Sequence, residues 1–295
     1  MPPLHDTPIL GMVARPRVSE PVEYGSDAAP QGFWTEYPSG LVDVSRTSHL
    51  AQEAPPLTSA LLDIPVDGDR TVRVARAATA MVIIDMQNFF LHPEMRDHPS
   101  GLKCVEPLMQ SVPVLRDAGI KILWVNWGLA DAELKTIPPS LVRGFMKNGR
   151  GGFGSELPGG FGRLLMRDAK NSELYGPLQA EYLKGKDTGT DFWIHKNRMS
   201  GLWGYQSALD LFLQENGLTT LLFAGVNADQ VTLLCFCLKT SPGTFIDAYF
   251  RGYDCILVED ATATTSPSGG FENVVYNAGN SYGFVTDTAR LAALK

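Results

Sequence analysis

The residues able to do chemistry in this chain gather at the ends of short apolar runs. Asp85 follows MVII and Lys196 follows FWIH. The turn Gly225-Val226-Asn227-Ala228-Asp229-Gln230 closes the run TTLLFA, with Cys235 and Cys237 shortly after it. A carboxylate, an ammonium and a thiol converging in one cleft make an activated nucleophile. The carboxylate takes the thiol proton, and the ammonium stabilises the thiolate and lowers its pKa. Backbone N–H groups at a helix start hold the developing oxyanion. Each residue also has a plainer reading: Asp85 as a helix cap, Lys196 as a solvated strand end, and the cysteines as buried helix residues. Their shared position at strand ends is what favours chemistry.

That position depends on the elements around them. TTLLFAG and CILVED are short apolar runs bounded by turn residues, as in parallel strands covered on both faces. MVII and IKILWVNW read the same way. Strand and helix alternate about six times, which predicts an α/β fold. The expected architecture is a three-layer α-β-α, doubly wound, mostly parallel six-stranded sheet. Ligands in such sheets bind beyond the carboxyl ends of the strands. A helix is expected over Gly101 to Ala118, with Val105, Leu108, Val112 and Leu115 on its apolar face and Pro113 kinking it. A second is expected from Ser200 or Gly201, with Leu202, Tyr205, Leu209 and Phe212 facing inward. The long glycine-rich stretch from Gly128 to about Asp191 reads as a lid containing a helix or two between Leu164 and Leu183. Phe90, Trp127, Trp203 and Phe153 are candidates to line an apolar substrate pocket. Residues 1–75, rich in Pro, Gly and Ser and without sustained period, read as an extension wrapping a domain at 76–295.

Composition excludes several classes. The 295 residues are 44% hydrophobic and 19% charged, which fits a globular chain with a sizeable core. A net charge of −7 leaves no basic excess for nucleic acid. No apolar run is long enough to span a membrane, and the N-terminus lacks the basic start and apolar core of a secretory signal. Four cysteines do not make a disulfide framework in a chain this long, so a cytoplasmic protein is expected. Gly149-x-Gly151-x-x-Gly154 matches a dinucleotide fingerprint in letters only, since no strand precedes it directly. Gly279-Asn-Ser281-Tyr-Gly283 matches a nucleophile elbow without a preceding buried strand or a later His.

VIIDMQNFF with Asp85, KNRMSG with Lys196, and AGVNADQ followed by Thr244-x-x-Asp247-Ala248-x-x-Arg251-Gly252-Tyr253 resemble, in this order, the isochorismatase-like cysteine hydrolases. The resemblance spans roughly residues 80–288, and fungal-type members share an N-terminal extension. It implies hydrolysis of a small amide or ureide, or of the enol ether of isochorismate. It makes Asp85 and Lys196 catalytic, Cys235 or Cys237 the candidate nucleophile, and Val226, Asn227 and Gln230 the oxyanion turn, with a non-proline cis peptide at Val226–Asn227. Nicotinamidase relatives use an Asp/His/His metal site. Here the corresponding strand end reads Asn126-Trp127-Gly128, so neither metal nor cofactor is expected. The partner expected is a small-molecule substrate, and relatives commonly form dimers or tetramers, so a homo-oligomer is expected too.

One departure stands out. The family pattern places a cysteine six residues after the first glycine, where this chain has Val231, and 13 residues separate that glycine from the later aspartate. Gly225 and Asp247 are 22 apart, so about nine residues are added, among them LLCFC and KTSPG. Three readings stay open. Cys235 or Cys237 is the nucleophile from a rebuilt helix start; or Asp85 and Lys196 cleave an enol ether without a thiol; or the added residues are an inactivating insertion or gene-model artefact, leaving a non-catalytic relative that acts as a binding or scaffold protein.

Overall fold

Continuous apolar runs become the central strands, and the stretches between them supply the covering helices. The computed structural model describes residues 15–29, 32–47, 60–146, 151–227 and 243–294. In chain order the extension contributes β1 (Val22–Gly25), β2 (Phe33–Glu36), β3 (Leu41–Asp43), β4 (Leu61–Val66) and β5 (Arg70–Ala75). The main body follows with β6 (Thr79–Ile84), α1 (Asn88–Leu91), α2 (Pro99–Lys103), α3 (Val105–Asp117) and β7 (Lys121–Trp127). Next come α4 (Asp131–Leu134), α5 (Pro139–Phe145), β8 (Glu156–Leu157), β9 (Gly162–Arg163), α6 (Pro177–Thr188) and β10 (Asp191–Lys196). The chain then forms α7 (Ala208–Glu215), β11 (Thr220–Val226), α8 (Gly243–Phe250), β12 (Asp254–Ala263), α9 (Gly270–Asn277), β13 (Phe284–Thr286) and α10 (Thr288–Ala292).

The main sheet has the order β10-β7-β6-β11-β12-β13, and every pairing in it is parallel. Alternate residues of each strand serve opposite faces. In β6, Met81 and Ile83 join the core under α3, while Ala80 and Val82 join the core under α7 and α8. Leu108, Val112 and Leu115 of α3 are fully buried against the first face. Leu209, Leu213, Phe245 and Ala248 pack on the second.

Three expectations about helices change. The helix over Gly101 to Ala118 is two helices meeting at Cys104, where Pro107 in the first turn of α3 has no N–H to continue the earlier helix. Pro113 sits inside α3, which still runs to Asp117. The helix expected from Ser200 starts at Ala208, where the Ser207 hydroxyl accepts from the Asp210 N–H as N-cap. Residues 197–206 are a loop, which leaves Tyr205 95% exposed.

In the extension the stretch LVDVSRTSHL reads as able to hold one short strand; β3 forms there, with four more strands around it. These strands form a sheet of order β1-β2-β3-β5-β4, with Leu62, Ile64, Val66, Val72 and Val74 buried. It is fastened to the main sheet by the Arg46 guanidinium, which grips the Asp254 carboxylate at 2.6 and 2.7 Å. Trp34 Nε1 and Thr220 Oγ1 donate to the same carboxylate, each at 2.7 Å. At the far edge the Asp67 N–H donates to the Val285 carbonyl at 2.9 Å, and Thr286 Oγ1 to the Pro65 carbonyl at 2.7 Å.

Candidate active site

The connections give the sheet a topological switch point. From β6 the chain moves outward through β7 to β10, then returns and moves outward the other way through β11, β12 and β13. A crevice is expected where the order reverses, beyond the carboxyl ends of β6 and β11. Asp85 follows the last residue of β6, Lys196 is the last residue of β10, and Val226 is the last of β11. Trp127 ends β7 and lies in register with Lys196.

Lys196 Nζ lies 2.9 Å from Asp85 Oδ2. Both side chains are almost wholly enclosed, at 2% and 8% exposure. Lys196 Nζ also donates to the Met199 carbonyl at 3.0 Å and sits 4.2 Å over the centre of the Trp127 ring, a cation–π contact that holds the ammonium in place. Asp85 Oδ1 is buried without a hydrogen-bond partner among the described residues. Burial raises the Asp85 carboxyl above its ordinary range, and the Lys196 ammonium opposes that rise. Burial likewise lowers the Lys196 ammonium, opposed by Asp85. Desolvation thus disfavours the charged form of both groups, and each is held charged against it by the other. Asp85 has φ 57°, a left-handed conformation that a non-glycine residue keeps only when its surroundings enforce it. Its N–H donates to the Val125 carbonyl at 3.2 Å.

Asp85 opens on a cleft lined by Phe90, Trp127, Val226, Asn227 and Thr262, among others. The sequence-derived Phe90, Trp127, Val226 and Asn227 therefore come together with Asp85 and Lys196. Trp203 does not join them. It sits on the loop before α7, 48% exposed, and lines a separate surface groove with Tyr205 and Phe250. Its displacement follows from the later start of that helix. The Val226–Asn227 peptide is trans, as are all peptides among the described residues. The turn gets its shape from Gly225 at φ 117° and Asn227 at φ 62°. A Cβ on Gly225 would stand 2.1 Å from the Ile84 carbonyl oxygen, so only glycine lets β11 pass this close to β6. Gln230, Cys235 and Cys237 lie outside the described residues. Phe153 does not line the cavity; it meets Trp127 at a tilt with ring centroids 5.1 Å apart and packs on Phe145 at 4.2 Å, and Phe145 brings the segment between β7 and β10 to the cavity wall.

Four residues were not singled out from the sequence. Gln87 is fully buried; its Nε2 donates to the Trp127 and Ser172 carbonyls, each at 2.8 Å, and its Oε1 accepts from the Trp127 N–H at 3.0 Å. It locks Trp127 to the Asp85 loop; an amide two residues after a strand-end Asp was the only signal. Phe145 and Arg96 line the cavity, and nothing in a sequence pattern distinguishes them from other lid or loop residues. Asn126 is fully buried with both amide atoms unpartnered among the described residues.

A buried carboxylate–ammonium pair thus sits at the switch point of a parallel α/β sheet, and the comparisons place the chain in a family. The model of the Isochorismatase domain matches residues 79–290. The chain belongs to the isochorismatase family of hydrolases. Among curated proteins, it is similar to the ureidoacrylate amidohydrolase RutB of Caulobacter segnis, 26% identical over 224 residues, covering 74% of this chain and 86% of that protein. It is also similar to the protein of the same name from Acinetobacter baylyi, 25% identical over 223 residues, covering 74% and 83%. Among solved structures, a cysteine hydrolase from Pseudomonas syringae pv. phaseolicola aligns with a TM-score of 0.54 at 17% identity, covering 82% of this chain and 97% of that one. An isochorismatase family protein from Desulfovibrio vulgaris aligns with a TM-score of 0.53 at 22% identity, covering 72% and 96%. These two likenesses concern the fold.

Proposed function

We propose that this chain hydrolyses a small amide or ureide C–N bond at the Asp85–Lys196 site, with Cys235 or Cys237 as nucleophile. The observation that carries the reading is the buried ion pair, with Asp85 Oδ2 2.9 Å from Lys196 Nζ and Asp85 Oδ1 left unpartnered at the cavity. A carboxylate with one free oxygen can accept a proton and return it, and its buried ammonium partner keeps it ionised between turnovers. Similarity to proteins named as ureidoacrylate amidohydrolases supports the choice of bond.

In the proposed sequence Asp85 takes the thiol proton, and the thiolate attacks the carbonyl carbon. Negative charge collects on the carbonyl oxygen, which accepts from backbone N–H groups of the turn at Val226 and Asn227. The C–N bond breaks and the nitrogen leaves with the proton returned by Asp85. Water, deprotonated by Asp85, then cleaves the acyl-thiol bond and frees the thiol. Lys196 stabilises anionic Asp85 and the thiolate throughout.

A substrate panel tests the reading. The purified protein is incubated with monosubstituted ureas, primary amides and a vinyl ether acid, and ammonia and aldehyde release are followed. Ammonia from the ureas or amides, with no aldehyde from the vinyl ether, is the expected result. Aldehyde without ammonia would support thiol-independent enol-ether cleavage instead. No product from any of the three would favour a non-catalytic relative.

A further inference from the structure

We propose that Arg96 holds a carboxylate of the substrate, making the preferred substrate an amide or ureide that carries an acid group. This rests on the hydrolase reading above and deepens it. Arg96 lines the same cavity as Asp85. Arg96 stands apart from the described arginines that are not exposed; Arg143 and Arg15 also lack a side-chain partner among the described residues but are exposed. Among the described residues, Arg46, Arg70, Arg73, Arg116, Arg163, Arg251 and Arg290 each meet a carboxylate. Arg76 and Arg198 donate to backbone carbonyls. The half-buried Arg96 guanidinium has no hydrogen-bond or ion-pair partner among the described residues. The acidic residues nearest it in sequence, Glu94 and Asp97, do not pair with it.

A half-buried guanidinium left unpaired loses its hydration without replacement. Burial lowers its pKa accordingly. Its neighbour His98 offers no compensation: burial and the Arg96 charge hold that imidazole toward the neutral form. The guanidinium thus brings the cavity a positive charge that no described residue pairs with, on a planar donor fork. A carboxylate matches that fork in a bidentate arrangement. The rest of the lining fits a small acid better than a phosphate, because it holds no second cation to match a further charge: beside Phe90, Trp127, Phe145, Phe223 and Phe245 its polar side chains are Asp85, Asn227, Thr244 and Thr262. A substrate pinned at one end by Arg96 and at its carbonyl by the β11 turn would be oriented rather than merely enclosed, which is the source of large rate effects.

The test compares 3-ureidopropionate with n-propylurea, its analogue lacking the carboxylate, in wild type and Arg96→Gln. The wild type is expected to show kcat/KM ~100-fold higher for the acid, the scale of a charge-assisted hydrogen-bond pair. Arg96→Gln is expected to collapse that ratio to near one by a loss of kcat/KM on the acid many times any loss on propylurea, and Arg96→Lys to restore part of it. A second arm needs no turnover: butyrate should raise the melting temperature of the wild type and leave that of Arg96→Gln where it was. Ammonia release with no preference for the acid, or equal losses on both substrates in Arg96→Gln, would overturn the assignment while leaving the hydrolase reading intact. Butyrate stabilisation dependent on Arg96 in a protein that releases no ammonia would keep Arg96 as an anion site and sink the hydrolase reading. Failure of both arms would remove both.

Discussion

At the scale of single residues, the account rests on two charges that the fold takes out of water and leaves with each other. The productive form has Asp85 ionised and Lys196 protonated. Burial raises the first and lowers the second, so the acid limb of activity should sit above the ordinary carboxylate range and the alkaline limb below the ordinary lysine range. A pH–rate profile of kcat/KM should be a narrowed bell. Lys196→Met removes the cation that lowers the Asp85 pKa, so whatever activity remains should have its acid limb at higher pH; an unmoved limb would mean the pair does not govern the profile. The thiols give a second prediction. Burial pushes Cys104 up to about 12 and Cys255 still higher, so neither presents thiolate near neutral pH. Iodoacetamide labelling read by peptide mass should modify Cys235 or Cys237 at least ~10-fold faster than either, with inactivation in step. Equal, slow labelling of all four would remove the thiol from the mechanism. Asp85 and Lys196 were legible because each directly follows an apolar run. Arg96 was not, because its meaning lies in a missing partner, and a sequence records no missing partners.

At the scale of elements, the strand ends work as a unit because β6 and β11 run side by side with no side chain between them. Gly225 is the point of closest approach. Gly225→Ala should destabilise the protein by ~3 kcal/mol, from a left-handed φ and a clash with the Ile84 backbone, and should depress turnover beyond the loss of folded protein by shifting Asn227. Urea melts and specific activity of the folded fraction check both; wild-type behaviour in the two would show that the approach is not needed. The central strands were readable as continuous apolar runs, since both faces of a parallel sheet are buried. The helices were readable in kind but not in extent. A proline near the start of α3 split one, and a serine cap delayed another, taking Trp203 away from the cavity. The placing of Phe145 at the cavity wall, with Phe153 packed on it, depends on how the long connection folds back, which no local period encodes.

At the scale of the molecule, the extension is joined to the hydrolase fold by the bonds of Asp67 and Pro65 to β13 and also through one buried carboxylate. Asp254 receives Arg46, Trp34 and Thr220 together. Arg46→Ala leaves that carboxylate buried without its cation, a loss of ~3 kcal/mol at neutral pH. The sign with pH follows from the direction of the shift. Burial raises the Asp254 pKa and Arg46 opposes the rise, so without Arg46 the folded-state value climbs further above the unfolded one. A group so raised keeps its contribution below the unfolded pKa and loses it as pH rises through the folded one. Urea melts of Arg46→Ala should therefore approach wild type near about pH 4.5 and fall furthest below it near neutrality; an equal loss at both would place the effect elsewhere. Apart from β3 in LVDVSRTSHL, the strands of the extension escaped sequence reading because they are short and broken by turns, and LLDIPV shows its alternation only once its partner RTVRVA lies beside it. The central claim, that a C–N bond is broken at the Asp85–Lys196 pair, is tested most directly by ammonia release from 3-ureidopropionate by wild type and Asp85→Asn at equal folded concentration. The account predicts steady release by the wild type and a ~1,000-fold lower kcat in the variant; release by Asp85→Asn at the wild-type rate would contradict it.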